Sequence, residues 1–152
     1  MEIQFVIFGL FLFLSIFNAG NMTSLQIQHY SIYYYVGKDN FKDYIKANNK
    51  SARLPAVIPG ISLLIVSFIL IFFRPDFMTL VEAIVILVLN LLSLFSTFKW
   101  QRKLQSEMTE TGYDENKINI LISTNWIRVF AFLIQGILAV FIIMSAVHLG
   151  RR

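Results

Sequence analysis

The residues best equipped for chemistry are few, and they stand in apolar surroundings. Asn125-Trp126-Ile127-Arg128 places an amide and a guanidinium three positions apart, which on a helix is one face, one turn apart. Such a pair can hold an anionic or carbonyl group, or stabilise developing oxyanion charge. His29 has the side chain best suited to a general base or proton shuttle near neutral pH. His29, Arg128 and Asn125 therefore form the candidate catalytic set, and Asn21, Gln28, Ser93 and Trp126 the candidate ligand-pocket wall. Each has a plainer reading. Arg128, a turn inside an apolar segment, can snorkel to lipid phosphates, and His29 can be an interfacial histidine bonded to a neighbour. Glu82 can relay protons or, more simply, pair with Arg74.

Composition limits this chemistry. The chain has 152 residues with two histidines and no cysteine. Disulfides, thiolate metal sites and cysteine nucleophiles are excluded. His29 and His148 fall at opposite ends of the expected topology, so they cannot share one metal, and no metal site is expected. Hydrophobic residues make up 57% and charged residues 14%, with a mean hydropathy of +0.66. A soluble domain is roughly half apolar and a quarter charged. The excess is concentrated in runs, the mark of a membrane protein. The net charge of +4 places basic residues in loops beside anionic lipid. No basic helix or aromatic-studded sheet points to nucleic acid.

The elements that must position these residues are helices. The first expected span covers residues 3–35. It opens Met-Glu with no Lys or Arg ahead of the apolar run, so it reads as a retained helix rather than a secretory signal. Tyr33, Tyr34 and Tyr35 suit the headgroup level. Residues 37–54 form a basic loop in which Phe41, Tyr44 and Ile45 make an apolar stripe. A short helix lying in the membrane interface is expected there, capped by Asn40 with Asp43 three residues on. The second span is 55–73, with Pro55 in its first turn and Pro59 kinking its start. Arg74-Pro75-Asp76 is a tight turn into the third span, 77–98. A second polar loop follows, with Trp100 at its membrane edge and a turn at Thr111-Gly112-Tyr113-Asp114. The last span is 124–149, closed by Gly150, Arg151 and Arg152.

The expected fold is one domain, residues 1–152: an all-α membrane protein of four antiparallel transmembrane helices in an up-down bundle. Lys and Arg are concentrated on the long-loop side, against Arg74, Arg151 and Arg152 on the other. That bias predicts cytoplasmic long loops and outward termini. At 100° per residue, Asn18, Asn21, Leu25, Gln28, His29 and Ile32 share an arc of the first helix. Glu82, Ser93 and Ser96 share a face of the third, and Asn125, Arg128, Phe132 and Gln135 a face of the fourth. Counting rise per residue puts Asn18, Asn90 and Gln135 near mid-membrane, where interhelical hydrogen bonds are worth about 1 kcal/mol each.

Gln26-x-x-His29-Tyr30, Val36-Gly37, Phe41, Gly112-Tyr113-Asp114 and Thr124-Asn125-Trp126-Ile127-Arg128 resemble a pattern in small four-helix bacterial membrane proteins of mostly unknown function, similar to the anthrone-oxygenase-like family. The resemblance covers most of the chain, with Asn-Trp-Ile-Arg its most specific part. It implies a four-helix fold, a bacterial inner membrane and, more weakly, oxidation of a hydrophobic ring compound without a tightly bound cofactor. The family pattern has proline after His-Tyr, where Ser31 stands here. It has histidines where Ile45, Asn48 and Gln101 stand here.

The leading functional expectation is an integral membrane protein that binds a lipophilic small molecule or a protein partner within its bundle. Membrane lipids are its surroundings, and oligomer formation is left open. The alternatives are a membrane oxygenase or isomerase using His29, Arg128 and Asn125, and a small oligomeric transporter using Glu82. An enclosed pocket reaching both His29 and Arg128 would favour the enzyme, a packed interior the binding protein, and a water path to Glu82 the transporter.

Overall fold

The computed structural model describes residues 3–148, with the side chain of Arg53 excepted. Leu149, Gly150, Arg151 and Arg152, and with them the end of the fourth expected span, lie outside the described residues. The structure is 88% helical, and among the described residues there is no strand. Five helical stretches carry the fold: α1 Ile3–Ile32, α2 Phe41–Ser51, α3 Ile58–Leu70, α4 Leu80–Thr111 and α5 Glu115–His148. α1, α4 and α5 are each long and apolar enough to cross a membrane. The second expected span reaches that length only if Leu54–Leu70 is counted with Lys38–Ser51 across a 46° bend.

The helices run further than the sequence suggested. α4 continues through the charged residues after Phe98 to Thr111, and α5 begins at Glu115, before the apolar run starts. Charged side chains do not end a helix; they only take it out of apolar surroundings. What ends α4 is Gly112, at φ 87°, a backbone that side chains with a Cβ rarely adopt. Asp114 then accepts from the Lys117 amide at 3.1 Å and starts α5. Lys117 clips the turn by pairing with Glu107 at 3.2 Å and Asp114 at 3.7 Å.

α1 packs against α3 and α5, and α4 packs against the same two helices. Phe11, Met22, Leu63, Ile86, Val129 and Ile142 belong to the core they share. A second cluster lies where α2 packs along Lys103–Thr111. There Phe41 and Ile45 are fully buried against Tyr33, Met108, Ile118 and Leu121. The apolar stripe of the expected interfacial helix faces protein, because the extensions of α4 and α5 supply an apolar surface to receive it. The expected Asn40 cap is also absent. Asn40 has helical backbone angles and makes no side-chain cap bond, since a 3₁₀ turn at Lys38–Asn40 already leads into α2.

Among the described residues, three wide π-type turns interrupt the helices, at Leu25–His29, Arg53–Val57 and Thr97–Arg102. The middle one has a covalent cause. Pro55 and Pro59 have no N–H to give, so the helical ladder cannot close normally around them. Val57 instead reaches back five residues to the Ala52 carbonyl, at 3.4 Å. Wide turns carry an extra residue and so reset which side chains face inward. On α1 the buried positions become Met22, Gln26 and Tyr30; on α4 they step from Ser96 to Gln101.

Candidate functional site

Arg128 is the centre of the site. Its position on α5 turns it toward α1, and it is 9% exposed. One guanidinium nitrogen lies 3.0 Å from Met22 Sδ, and the group also faces the Tyr30 hydroxyl. A thioether is a weak acceptor. Nε has no hydrogen-bond partner. Both ion pairs among the described residues belong to Lys117; no carboxylate among them answers Arg128. A buried charge without a counter-charge is costly.

Asn125 sits one turn earlier on the same face and is fully buried. Its Nδ2 donates to Gln26 Oε1 at 2.8 Å, and Gln26 Nε2 donates to the Ile122 carbonyl at 3.2 Å. Asn125 Oδ1 is left without a partner. Beyond it, Tyr30 donates to Gln101 Oε1 at 3.2 Å, while Gln101 Nε2 reaches the Leu121 carbonyl at 3.0 Å and Thr124 Oγ1 at 3.1 Å. Ser96 donates to the Thr124 carbonyl at 3.3 Å. The wide turns of α1 and α4 thus bring Gln26, Tyr30 and Gln101 onto one stretch of α5.

The other expected site residues are dispersed. Ser93 is buried, and its carbonyl accepts from Thr97. Asn21 is half-buried and donates to the Pro55 carbonyl at 2.6 Å. Gln28 is exposed, and its side chain accepts from Ser24 Oγ at 3.5 Å. Trp126 is exposed and stacks on Phe130, with ring centroids 5.4 Å apart. His29 packs edge-on against Tyr33 and beside Tyr30, and no hydrogen bond joins it to Arg128 or Asn125. Two open grooves lie elsewhere. An open groove of about 710 Å³ is lined by Phe141, Met144 and His148 among others, and a smaller one of about 260 Å³ by Arg74 and Asp76.

Compared with known protein families, curated proteins and solved structures, the chain matches none. Its site must be argued from its own chemistry.

A second polar group lies further along the core. Asn90 Nδ2 donates to Ser67 Oγ at 2.6 Å and Gln135 Oε1 at 3.1 Å, tying α4 to α3 and α5. All three residues are buried. Glu82 does not pair with Arg74: its carboxylate accepts from Thr79 N at 2.7 Å, and Thr79 Oγ1 accepts from Glu82 N at 3.2 Å. This reciprocal box starts α4. Arg74 instead donates to the Ile71 carbonyl at 2.9 Å. Among the described residues no group of acidic or histidine side chains could hold a metal.

Met22 is a site residue that the sequence did not reveal, and Gln26, Tyr30, Gln101 and Thr124 entered only within the resemblance. The signal available was a polar residue on each helix, and periodicity at 100° per residue discards it because the wide turns at Leu25–His29 and Thr97–Arg102 shift the register.

Proposed function

We propose that this chain is a multi-pass integral membrane protein that binds an anionic lipophilic ligand at Arg128. The carrying observation is the charge itself: a guanidinium 9% exposed, with no carboxylate partner among the described residues and an unpartnered Nε. A snorkelling arginine would extend outward; this one folds against Met22 on the neighbouring helix. A ligand phosphate or carboxylate supplies the missing counter-charge. No observation brings His29 to the same point, and Glu82 is occupied by its cap, so neither the oxygenase or isomerase nor the transporter reading gains from the geometry.

The membrane topology is part of the proposal. Phe13, Ile65, Val88 and Phe141, on four different helices, are each more than half exposed, which suits lipid and not water. The contacts run in opposite directions along paired helices: Asn18 with Pro59 and Asn21 with Pro55; Met22 with Arg128 and Gln26 with Ile122; Asn90 with Gln135 and Ser96 with Thr124. These pairs support four antiparallel spans. The Lys/Arg bias supports a cytoplasmic position for α2 and the turn at Gly112, with outward termini. The resemblance adds a bacterial inner membrane.

The test is native mass spectrometry of the detergent-purified protein beside Arg128→Gln. An anionic amphiphile held at one per chain by the unaltered protein and lost from the variant is the expected result. Identical lipid profiles for the two, both folded, would overturn the reading.

A further inference from the structure

We propose that the Arg128 site selects a phosphodiester lipid whose head group carries a free hydroxyl, of the phosphoglycerol kind. The proposal rests on the ligand-binding reading above and names the ligand class.

Two buried side-chain atoms of the site lack partners, and they differ in kind. Arg128 Nε is a charged donor; Asn125 Oδ1 is a neutral acceptor. They lie three residues apart on one face of α5, about 4.5 Å in rise. The Asn125 amide is held in its orientation by a relay. The Ile122 carbonyl can only accept, so Gln26 must present Nε2 to it and Oε1 to Asn125 Nδ2. That leaves Oδ1 as the open atom, and it needs a donor.

A ligand that answers both atoms carries one negative charge and, within a few ångströms, one hydrogen-bond donor. A fatty-acid carboxylate or a methyl phosphodiester supplies the charge without the donor. A phosphocholine group has no donor and adds a cation. A phosphoethanolamine has a donor, but its ammonium would meet Arg128 with no carboxylate to shield it. A hydroxyl donates without charge, so a phosphoglycerol head group answers both requirements. Position agrees with a lipid source. Trp126 and Trp100 stand beside Asn125 and Gln101, and Lys99 lies 4.5 Å from the Trp100 ring centroid, an aromatic and basic belt of the headgroup level.

The experiment is a competition, read by native mass spectrometry, between phosphatidylglycerol and phosphatidylmethanol of identical acyl chains. The two have equal charge and differ in the hydroxyls. The unaltered protein is expected to retain phosphatidylglycerol about tenfold over phosphatidylmethanol, as one hydrogen bond to a buried group predicts. Asn125→Leu is expected to hold both equally while still preferring them to phosphatidylcholine. Equal retention by the unaltered protein overturns the hydroxyl selection and leaves the anion site standing. No preference for either over phosphatidylcholine overturns both readings. Displacement of bound lipid by equimolar glycerol phosphate would assign the site to a water-soluble phosphoester and overturn the lipid assignment. Should Asn125→Leu fail to fold, the competition on the unaltered protein decides alone.

Discussion

Asn21 Nδ2 donates to the Pro55 carbonyl at 2.6 Å, across the seam between α1 and the turn that leads into α3. Pro59 has no amide hydrogen, so it cannot give Pro55 the bond that the fourth residue on ordinarily supplies. The asparagine provides from a neighbouring helix what the proline withholds. Asn18 acts one turn earlier, with Nδ2 at 3.2 Å from the Pro59 carbonyl.

Asn21→Ala should therefore lower stability by about 1 kcal/mol, the scale of an interhelical hydrogen bond. The loss should shrink in a Pro59→Ala background, where the restored amide can answer Pro55. Denaturant unfolding of the four proteins in detergent gives the coupling as a double-mutant cycle. Equal losses in both backgrounds would detach the asparagine from the proline.

The helical fold was legible because long apolar runs leave the backbone no other way to satisfy its polar groups. The inward faces of Asn18, Asn90, Asn125, Arg128 and Gln135 were legible too, since polar side chains in apolar runs turn toward one another. Gln28 stands outside and Gln26 inside, a register that the wide turn at Leu25–His29 hides from periodicity. Trp126 lies outside as well: its neighbours Asn125 and Arg128 take the inner face. The charged ends of α4 and α5 look like loop in the sequence because their charge masks their helical spacing.

Phe41 and Ile45 anchor α2 to Lys103–Thr111, both with no exposed surface. Ile45→Ala should cost about 2–4 kcal/mol, the range for a large-to-small change in a packed core. Hydrogen exchange should then quicken in both α2 and Lys103–Thr111. A helix merely resting on lipid would leave the amides of Lys103–Thr111 as protected as before, and that outcome would remove the second core cluster from the account.

Glu82 serves the start of α4 through oxygen acceptors, which a glutamine also owns. Glu82→Gln should change stability by no more than about a few tenths of a kcal/mol, whereas Thr79→Ala should cost about 1 kcal/mol by removing the cap. Thermal unfolding of both variants reads the difference. A large loss in Glu82→Gln would show that the charge itself matters there, and would return the carboxylate to consideration as a proton carrier.

Asn90 bridges three helices, and its partners are unequal. Asn90→Leu strands Ser67 Oγ and Gln135 Oε1 of their donor in a buried place, so it should cost about 1–2 kcal/mol. Gln135→Met also removes the bond to Asn90. It deletes Gln135 Nε2 as well, a buried donor that already has no partner. Relief of that unpaired group offsets the lost bond, and Gln135→Met should be the milder change by about 1 kcal/mol. Denaturant unfolding of the two variants side by side decides the order. The reverse order would mean that Gln135 Nε2 is answered in the folded protein, and that the polar core has a further member between α1 and α5.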